Sequence, residues 1–239
     1  GEDAATAALY SSDTLTITGT GSLDVTGSYK DGISSKNGLV ITGGPTITVN
    51  AVDDGVRGKD YLLVSSGRLT VTAGGDGLKS SEDDDETKGF VALGAATVTV
   101  ASGDDGVSAT TDVTVDGTAL SITAGGGQAR ATVSEQGPGQ GGPEQGAPGQ
   151  DRSTDSAEED TSPSPKGINA GVAYAQDSGS VTIDAADEGL QGAFVNVNGG
   201  SLDIASGDDG VNASNGDSTI EGYENADSES DDGSAITIS

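Results

Sequence analysis

The sequence predicts an all-β fold, a right-handed single-stranded parallel β-helix: a solenoid whose coils are about 22 residues long. Three observations predict it. Short strands that alternate aliphatic with small polar residues recur along the chain, as in RLTVTA at 68–73 and ATVTVA at 96–101. A marker of acid, glycine and aliphatic residue returns at one phase: Asp31-Gly32-Ile33, Asp54-Gly55-Val56, Asp76-Gly77-Leu78, Asp105-Gly106-Val107, Glu188-Gly189-Leu190 and Asp209-Gly210-Val211. Lys166-Gly167-Ile168 keeps the phase without the acid. The third observation is compositional. With 40 glycines in 239 residues and only 3% aromatics, a thick core of bulky side chains is excluded, but a narrow one of Val, Ile, Leu and Ala is not. Each coil of a solenoid buries its apolar side only against its neighbours.

Taken in order, residues 1–10 give no clear element. The first coil spans 11–33, where Leu15 and Ile17 alternate with Thr14, Thr16 and Thr18. The second spans 38–56, with Leu39, Ile41, Ile47 and Val49 facing inward. Gly43 and Gly44 make its turn, where a positive φ suits glycine. The third, 61–78, repeats the pattern with Leu62, Val64, Leu69 and Val71. An acidic insertion, SSEDDDETK at 80–88, precedes the fourth coil at 90–107, whose inward residues are Val91, Leu93, Val98 and Val100. A fifth begins at 113–124. Residues from about 125 to 165 are rich in Gly, Pro, Gln and acid, and read as a flexible loop that leaves the solenoid and returns to it. Two further coils follow at 172–190 and 195–211, a second polar insertion at 215–233, and a last strand at 234–239. The whole of 1–239 reads as one domain with two insertions, and both ends look like cuts through a longer precursor.

The formal net charge is −29, from 39 Asp and Glu against 10 Lys and Arg. That excludes nucleic acid and anionic membrane surfaces as partners. There is no His and no Cys, so the commonest general base, imidazole metal ligands and thiolate chemistry are all missing. No apolar run reaches the length of a membrane span. The acids keep a phase, and stacked coils set equivalent residues about 4.8 Å apart. Two carboxylates at that distance repel by about 0.9 kcal/mol in water and several-fold more when partly buried. A bound divalent cation is the simplest relief, and calcium takes six to eight oxygen ligands of this kind.

Several stretches carry a resemblance: GKDYLLV at 58–64, GGDGLKS at 74–80 followed by EDDDE, GDDGV at 103–107, KGINAG at 166–171 and SGDDGVNA at 206–213. In these the chain resembles the bacterial secreted carbohydrate-binding β-helix family, whose coils and calcium sites are similar to those of family-nine pectate lyases. The resemblance covers nearly the whole chain apart from the two insertions. It implies a right-handed parallel β-helix, bound Ca2+ and an extracellular or cell-surface location. It further implies non-catalytic binding of an acidic, pectate-like polysaccharide or of cellulose. The lyase-type calcium pattern is paired Asp with a third Asp three residues on. Here Asp208-Asp209 is followed by Asn212, Asp104-Asp105 by Ser108, and Asp53-Asp54 by Arg57.

Two composite calcium sites are expected. The first joins Asp76 to Asp104 and Asp105, with help from Asp83, Asp84 or Asp85. The second joins Asp187 and Glu188 to Asp208, Asp209 and Asn212. For a single Asp-Gly the plain reading is a tight turn; the phased stack with a second acid beside it is what points to metal. Asp53 and Asp54 are a weaker pair, since Arg57 could neutralise them. If the chain were a polyuronate lyase, Lys79 would be its base, but anionic surroundings raise a lysine pKa and oppose that role. A calcium-stabilised structural or adhesive solenoid is the other alternative. Tyr61, Phe90, Tyr174 and Tyr223 are too scattered in sequence to suggest a sugar-stacking platform. Thr46, Thr48, Thr70, Thr72, Thr97 and Thr99 are expected on one outer face. Flat threonine ladders also occur on ice-binding solenoids, but threonine is favoured on any exposed strand face.

Overall fold

The structure is a computed structural model and describes residues 7–131, 164–214 and 233–239. It is all-β, and the short 3-10 turn Gln128–Arg130 is the only helix among the described residues. One 17-stranded sheet takes in every strand. Each strand pairing is parallel. Parallel pairing of short consecutive strands requires the chain to return to its starting side on every pass, so a solenoid fits these registers.

Each pass is a rung. The first consists of β1 (Ala7–Ser11), β2 (Leu15–Ile17) and β3 (Ser22–Gly27), and the second of β4 (Asp31–Ser35), β5 (Gly38–Ile41) and β6 (Thr46–Ala51). The third is β7 (Val56–Gly58) with β8 (Tyr61–Ala73), the fourth β9 (Leu78–Ser80) with β10 (Phe90–Ser102), and the fifth β11 (Val107–Ala109) with β12 (Asp112–Ala124). The sixth is the single long β13 (Ile168–Ala185). The seventh is β14 (Leu190–Val197) with β15 (Ser201–Ser206), and the eighth β16 (Val211–Asn212) with β17 (Ala235–Ile238). Equivalent residues on adjacent rungs lie 21 to 24 apart in sequence. The step grows across each of the three insertions: to 29 at 80–88 and to 61 at the long one, and again between the seventh and eighth rungs, where Phe194 pairs with Ala235. Most of that long insertion, 132–163, and of the second, 215–232, lies outside the described residues, as does Tyr223.

The aliphatic residue of the marker forms one inner ladder: Leu9, Ile33, Val56, Leu78, Val107, Ile168, Leu190 and Val211. Ile47, Leu69, Val98, Leu120 and Val181 form another across the coil. From Ile33 to Leu190 and from Ile47 to Val181 these side chains are at most 3% exposed. Burying each contributes about 1.5–3 kcal/mol. Leu9 lies under Ile33, so the strand Ala7–Ser11 belongs to the first rung, which therefore begins before residue 11. With Leu9 as its one large aliphatic residue, this strand lacks the alternation that marks the others in sequence. Gly43 and Gly44 turn at φ 83° and 90°, in the region the turn needs glycine for.

One core ladder contains a long polar side chain. Gln176 sits between Val115 and Val197 and is fully buried. Its Oε1 accepts from Tyr174 Oη at 2.8 Å and its Nε2 donates to the Ser201 carbonyl at 3.1 Å, which removes the cost of an unpaired buried amide. Tyr174 is therefore core, and burial pushes its hydroxyl pKa above the ordinary tyrosine range.

Candidate functional site

The marker residues converge on one corner of the coil. The glycine N–H of each rung donates to the carbonyl of the marker residue on the next: Gly32 to Asp54, Gly55 to Asp76, Gly77 to Asp105, Gly106 to Lys166, Gly167 to Glu188 and Gly189 to Asp209. The side chains extend this connection. Asp54 Oδ1 accepts the Asp76 N–H at 3.2 Å, Asp76 Oδ1 accepts the Asp105 N–H at 3.1 Å, and Asp105 Oδ1 accepts the Lys166 N–H at 2.9 Å. These three marker carboxylates thus cap the rung beyond them. This is the hydrogen-bonding habit that makes aspartate common in turns, used between rungs. Asp31, Asp54, Asp76 and Asp105 are all buried. Burial is the main cause that raises their pKa values above the usual carboxylate range, with Asp105 pushed up to about 6.

One cation is set into this column. Lys79 Nζ lies 2.5 Å from Asp76 Oδ2 and 3.4 Å from Asp54 Oδ2. Burial works to lower the Lys79 pKa, but its hydrogen bond to Asp76 and the charges of Asp76 and Asp54 outweigh it and hold the pKa above the ordinary lysine range. An ammonium held that firmly protonated is a poor proton acceptor, so the geometry opposes Lys79 as a lyase base. The acids expected to pair with Arg57 are taken by lysines: Asp53 by Lys30 at 3.5 Å and Asp54 by Lys79. Arg57 donates to Ser81 Oγ instead, from Nη2 at 2.9 Å and Nε at 3.3 Å. The insertion at 80–88 supplies that serine.

Asp76, Asp104 and Asp105 come together, each with a carboxylate oxygen within 4.8 Å of the others. The inner two are buried, and Asp104 is the solvent-facing member. Asp105 Oδ2 also accepts from Asn169 Nδ2 at 3.0 Å. Asp83 and Asp85, expected at the same site, lie elsewhere. Asp83 groups with Glu82 and Asp84, and Glu82 is held by Lys59 at 2.8 Å. Asp85 accepts from Thr87 and pairs with Lys88 at 3.6 Å. The insertion turns Glu82 onto Lys59 of the preceding rung and Asp85 onto its own Lys88.

The second expected set is arranged differently. Lys166, the marker that lacks an acid, puts its ammonium 3.3 Å from Glu188 and 3.7 Å from Asp187. Ser164 also donates to Asp187. Asn212 Nδ2 donates to Glu188 Oε1 at 2.6 Å, so this side chain serves the acid as a donor. Asp208 and Asp209 are exposed. Among the described residues no group of three acids closes here.

Two features of the outer surface bear on ligands. Tyr61 and Phe90, opposite one another on adjacent rungs, stack with ring centroids 5.6 Å apart and planes at 17°. The insertion lengthens the step between them, and so hides their equivalence in the sequence. The threonines do share one face, but Thr48, Thr70 and Thr99 alone make an unbroken column. Arg68 stands between Thr46 and Thr97 in the next column, and Thr72 falls opposite Asn50 and Ala101 in a third.

No curated protein and no solved structure matches this chain. A family model does match, over residues 1–233, which take in the acidic corner, the aromatic pair and the threonine face. The chain belongs to the family described as carbohydrate-binding domain-containing protein.

Proposed function

We propose that this protein binds an acidic, pectate-like polysaccharide outside the cell or at its surface, without turning it over. In this reading a calcium ion is shared between protein and glycan, and the solenoid is a right-handed parallel β-helix. The observation that carries it is the meeting of Asp76, Asp104 and Asp105 within 4.8 Å in a chain whose family binds carbohydrate. The donor set fits the ion. It is all carboxylate oxygen, Lys79 offsets only part of its charge, and calcium prefers hard oxygen ligands in flexible number. Asp104 would supply the outermost protein oxygen.

Electrostatics supply the rest of the argument. A chain of net charge −29 repels a polyanion. Calcium held by three carboxylates keeps coordination positions for uronate carboxylates and turns that repulsion into a bridge. Cellulose offers the ion only neutral hydroxyl oxygens, weaker ligands than uronate carboxylates, so the acidic polymer is the better match.

Affinity electrophoresis tests the reading. The protein is run through gels with and without polygalacturonate, in calcium and then in chelator. Retardation is expected only where polymer and calcium are both present, and Asp104→Asn should reduce it without lowering the melting temperature. Retardation that survives chelation rejects the bridging ion. If polygalacturonate never retards the protein, the acidic glycan is wrong, and a calcium-dependent melting temperature on its own would then mark a scaffold ion.

A further inference from the structure

The cations of the acidic corner fall into two kinds. Lys30, Lys59, Lys79, Lys88 and Lys166 each have a carboxylate beside the ammonium. Arg57 and the exposed Lys36 have none, and of the two only Arg57 is held in place: among the described residues its side chain donates to the neutral Ser81 hydroxyl. It is half-buried and outward-facing, in register between Ser34 and Lys79.

Ser81 does more than occupy it. The hydroxyl oxygen receives both Nε and Nη2, which is one edge of the planar guanidinium. The other edge, formed by Nη1 and Nη2, is left with two parallel N–H donors. That edge matches a planar carboxylate in a two-bonded fork, and pinning the opposite edge reduces the side-chain freedom lost on binding. Asp31, one rung away, feels the Arg57 charge, but no carboxylate among the described residues forms an ion pair with the guanidinium, so its outer edge is open to an external one.

We infer that Arg57 is the residue that reads the uronate carboxylate, taking it through its free Nη1–Nη2 edge while Ser81 holds the other edge in place. The inference rests on the acidic-polysaccharide reading and adds to it a protein contact that needs no metal. One carboxylate of the polymer meets the ion at the Asp104 corner. Another, on a sugar further along the same chain, meets Arg57. Lys79, on the rung between them, is already saturated by Asp54 and Asp76 and contributes no such contact.

The test measures retention on polygalacturonate in calcium for wild type, Arg57→Ala and Arg57→Lys. Fully methyl-esterified polymer is run in parallel, with calcium affinity by calorimetry and melting temperature as further readouts. Arg57→Ala is expected to weaken retention about tenfold or more, the scale of lost hydrogen bonds to a charged group. Arg57→Lys should recover little of it, because an ammonium lacks the fork. Calcium affinity and melting temperature should stay at wild-type values, and the weak retention on esterified polymer should not change. Equal retention by all three proteins overturns the inference while leaving the calcium reading standing. A loss that Arg57→Lys fully restores, or that tracks a fall in melting temperature, also overturns it by assigning Arg57 plain charge or a structural role. Wild type that polygalacturonate does not retain removes the underlying reading and this inference with it.

Discussion

At the scale of the residue, Asp105 carries the most tension. It is 7% exposed. Burial pushes its carboxyl up to about 6 from an ordinary 3.8, against the hydrogen bonds from Asn169 and Lys166 and with the added charges of Asp76 and Asp104. A carboxyl that holds its proton more tightly in the folded chain than in the unfolded one destabilises the fold in full above the folded pKa. That penalty is relieved as pH falls from about 6 towards 3.8. Asp31, Asp54 and Asp76 shift in the same direction. In calcium-free buffer the protein should therefore gain stability between pH 7 and pH 5, on the order of 1 kcal/mol from Asp105 alone. Asp105→Asn keeps the Oδ1 acceptor for the Lys166 N–H and removes the proton uptake, so its stability should change less over that interval. Denaturant melts at the two pH values measure this. An equal gain in wild type and variant would show that Asp105 does not titrate there.

At the scale of the element, the marker glycine is fixed by close approach across the coil. A methyl on Gly77 would lie 2.2 Å from Val100 Cγ1 and 2.6 Å from the Gly106 carbonyl oxygen. Gly55 faces Val71 and Gly106 faces Ile122 in the same way. The corner is pinched onto the β-branched side chain opposite, and the backbone of the next rung closes the remaining space. Overpacking of this kind costs about 1–3 kcal/mol, so Gly77→Ala should be destabilising by at least that much. Gly210→Ala, where a methyl meets nothing within 4 Å, should stay near wild type. Comparable melting temperatures for the two variants would reject the close-packing account. This geometry also explains what the sequence made legible. The marker carries the whole rung spacing, because its glycine, its aliphatic residue and its acid each have a fixed neighbour one rung away. The alternating strands carried the inward ladders for the same reason, and the meeting of Asp76 with Asp104 and Asp105 follows from phase alone. What phase does not carry is the pairing of long side chains. Lys79 reaches back to Asp54 and Lys166 forward to Glu188. The 80–88 insertion turns its acids towards Lys59 and Lys88, and Tyr61 and Phe90 meet across a step that the insertion has lengthened.

At the scale of the whole molecule, stability is a sum of rungs and the contacts between neighbours. A middle rung is covered on both sides, an end rung on one. Val98 and Leu69 are at most 1% exposed, whereas Leu15, Ile17 and Leu23 near one end and Leu202, Ile204 and Val211 near the other are only partly buried. Self-repulsion from a net charge of −29 acts along the full length and adds to the tendency of weakly covered rungs to open. In the 239-residue chain, amide exchange should therefore be slowest in β8, β10 and β12 and should quicken stepwise towards β1–β3 and β15–β17, as opening spreads from the ends. Leu69→Ala, in a covered rung, should cost about 2–5 kcal/mol by the usual transfer and cavity terms. Leu202→Ala should cost distinctly less and should speed exchange mainly in its own and the adjoining rungs. If exchange were instead uniform from end to end, with the two leucine variants equally destabilised, the rungs would be opening as a single cooperative unit. The nearest-neighbour description of the molecule would then have to be abandoned.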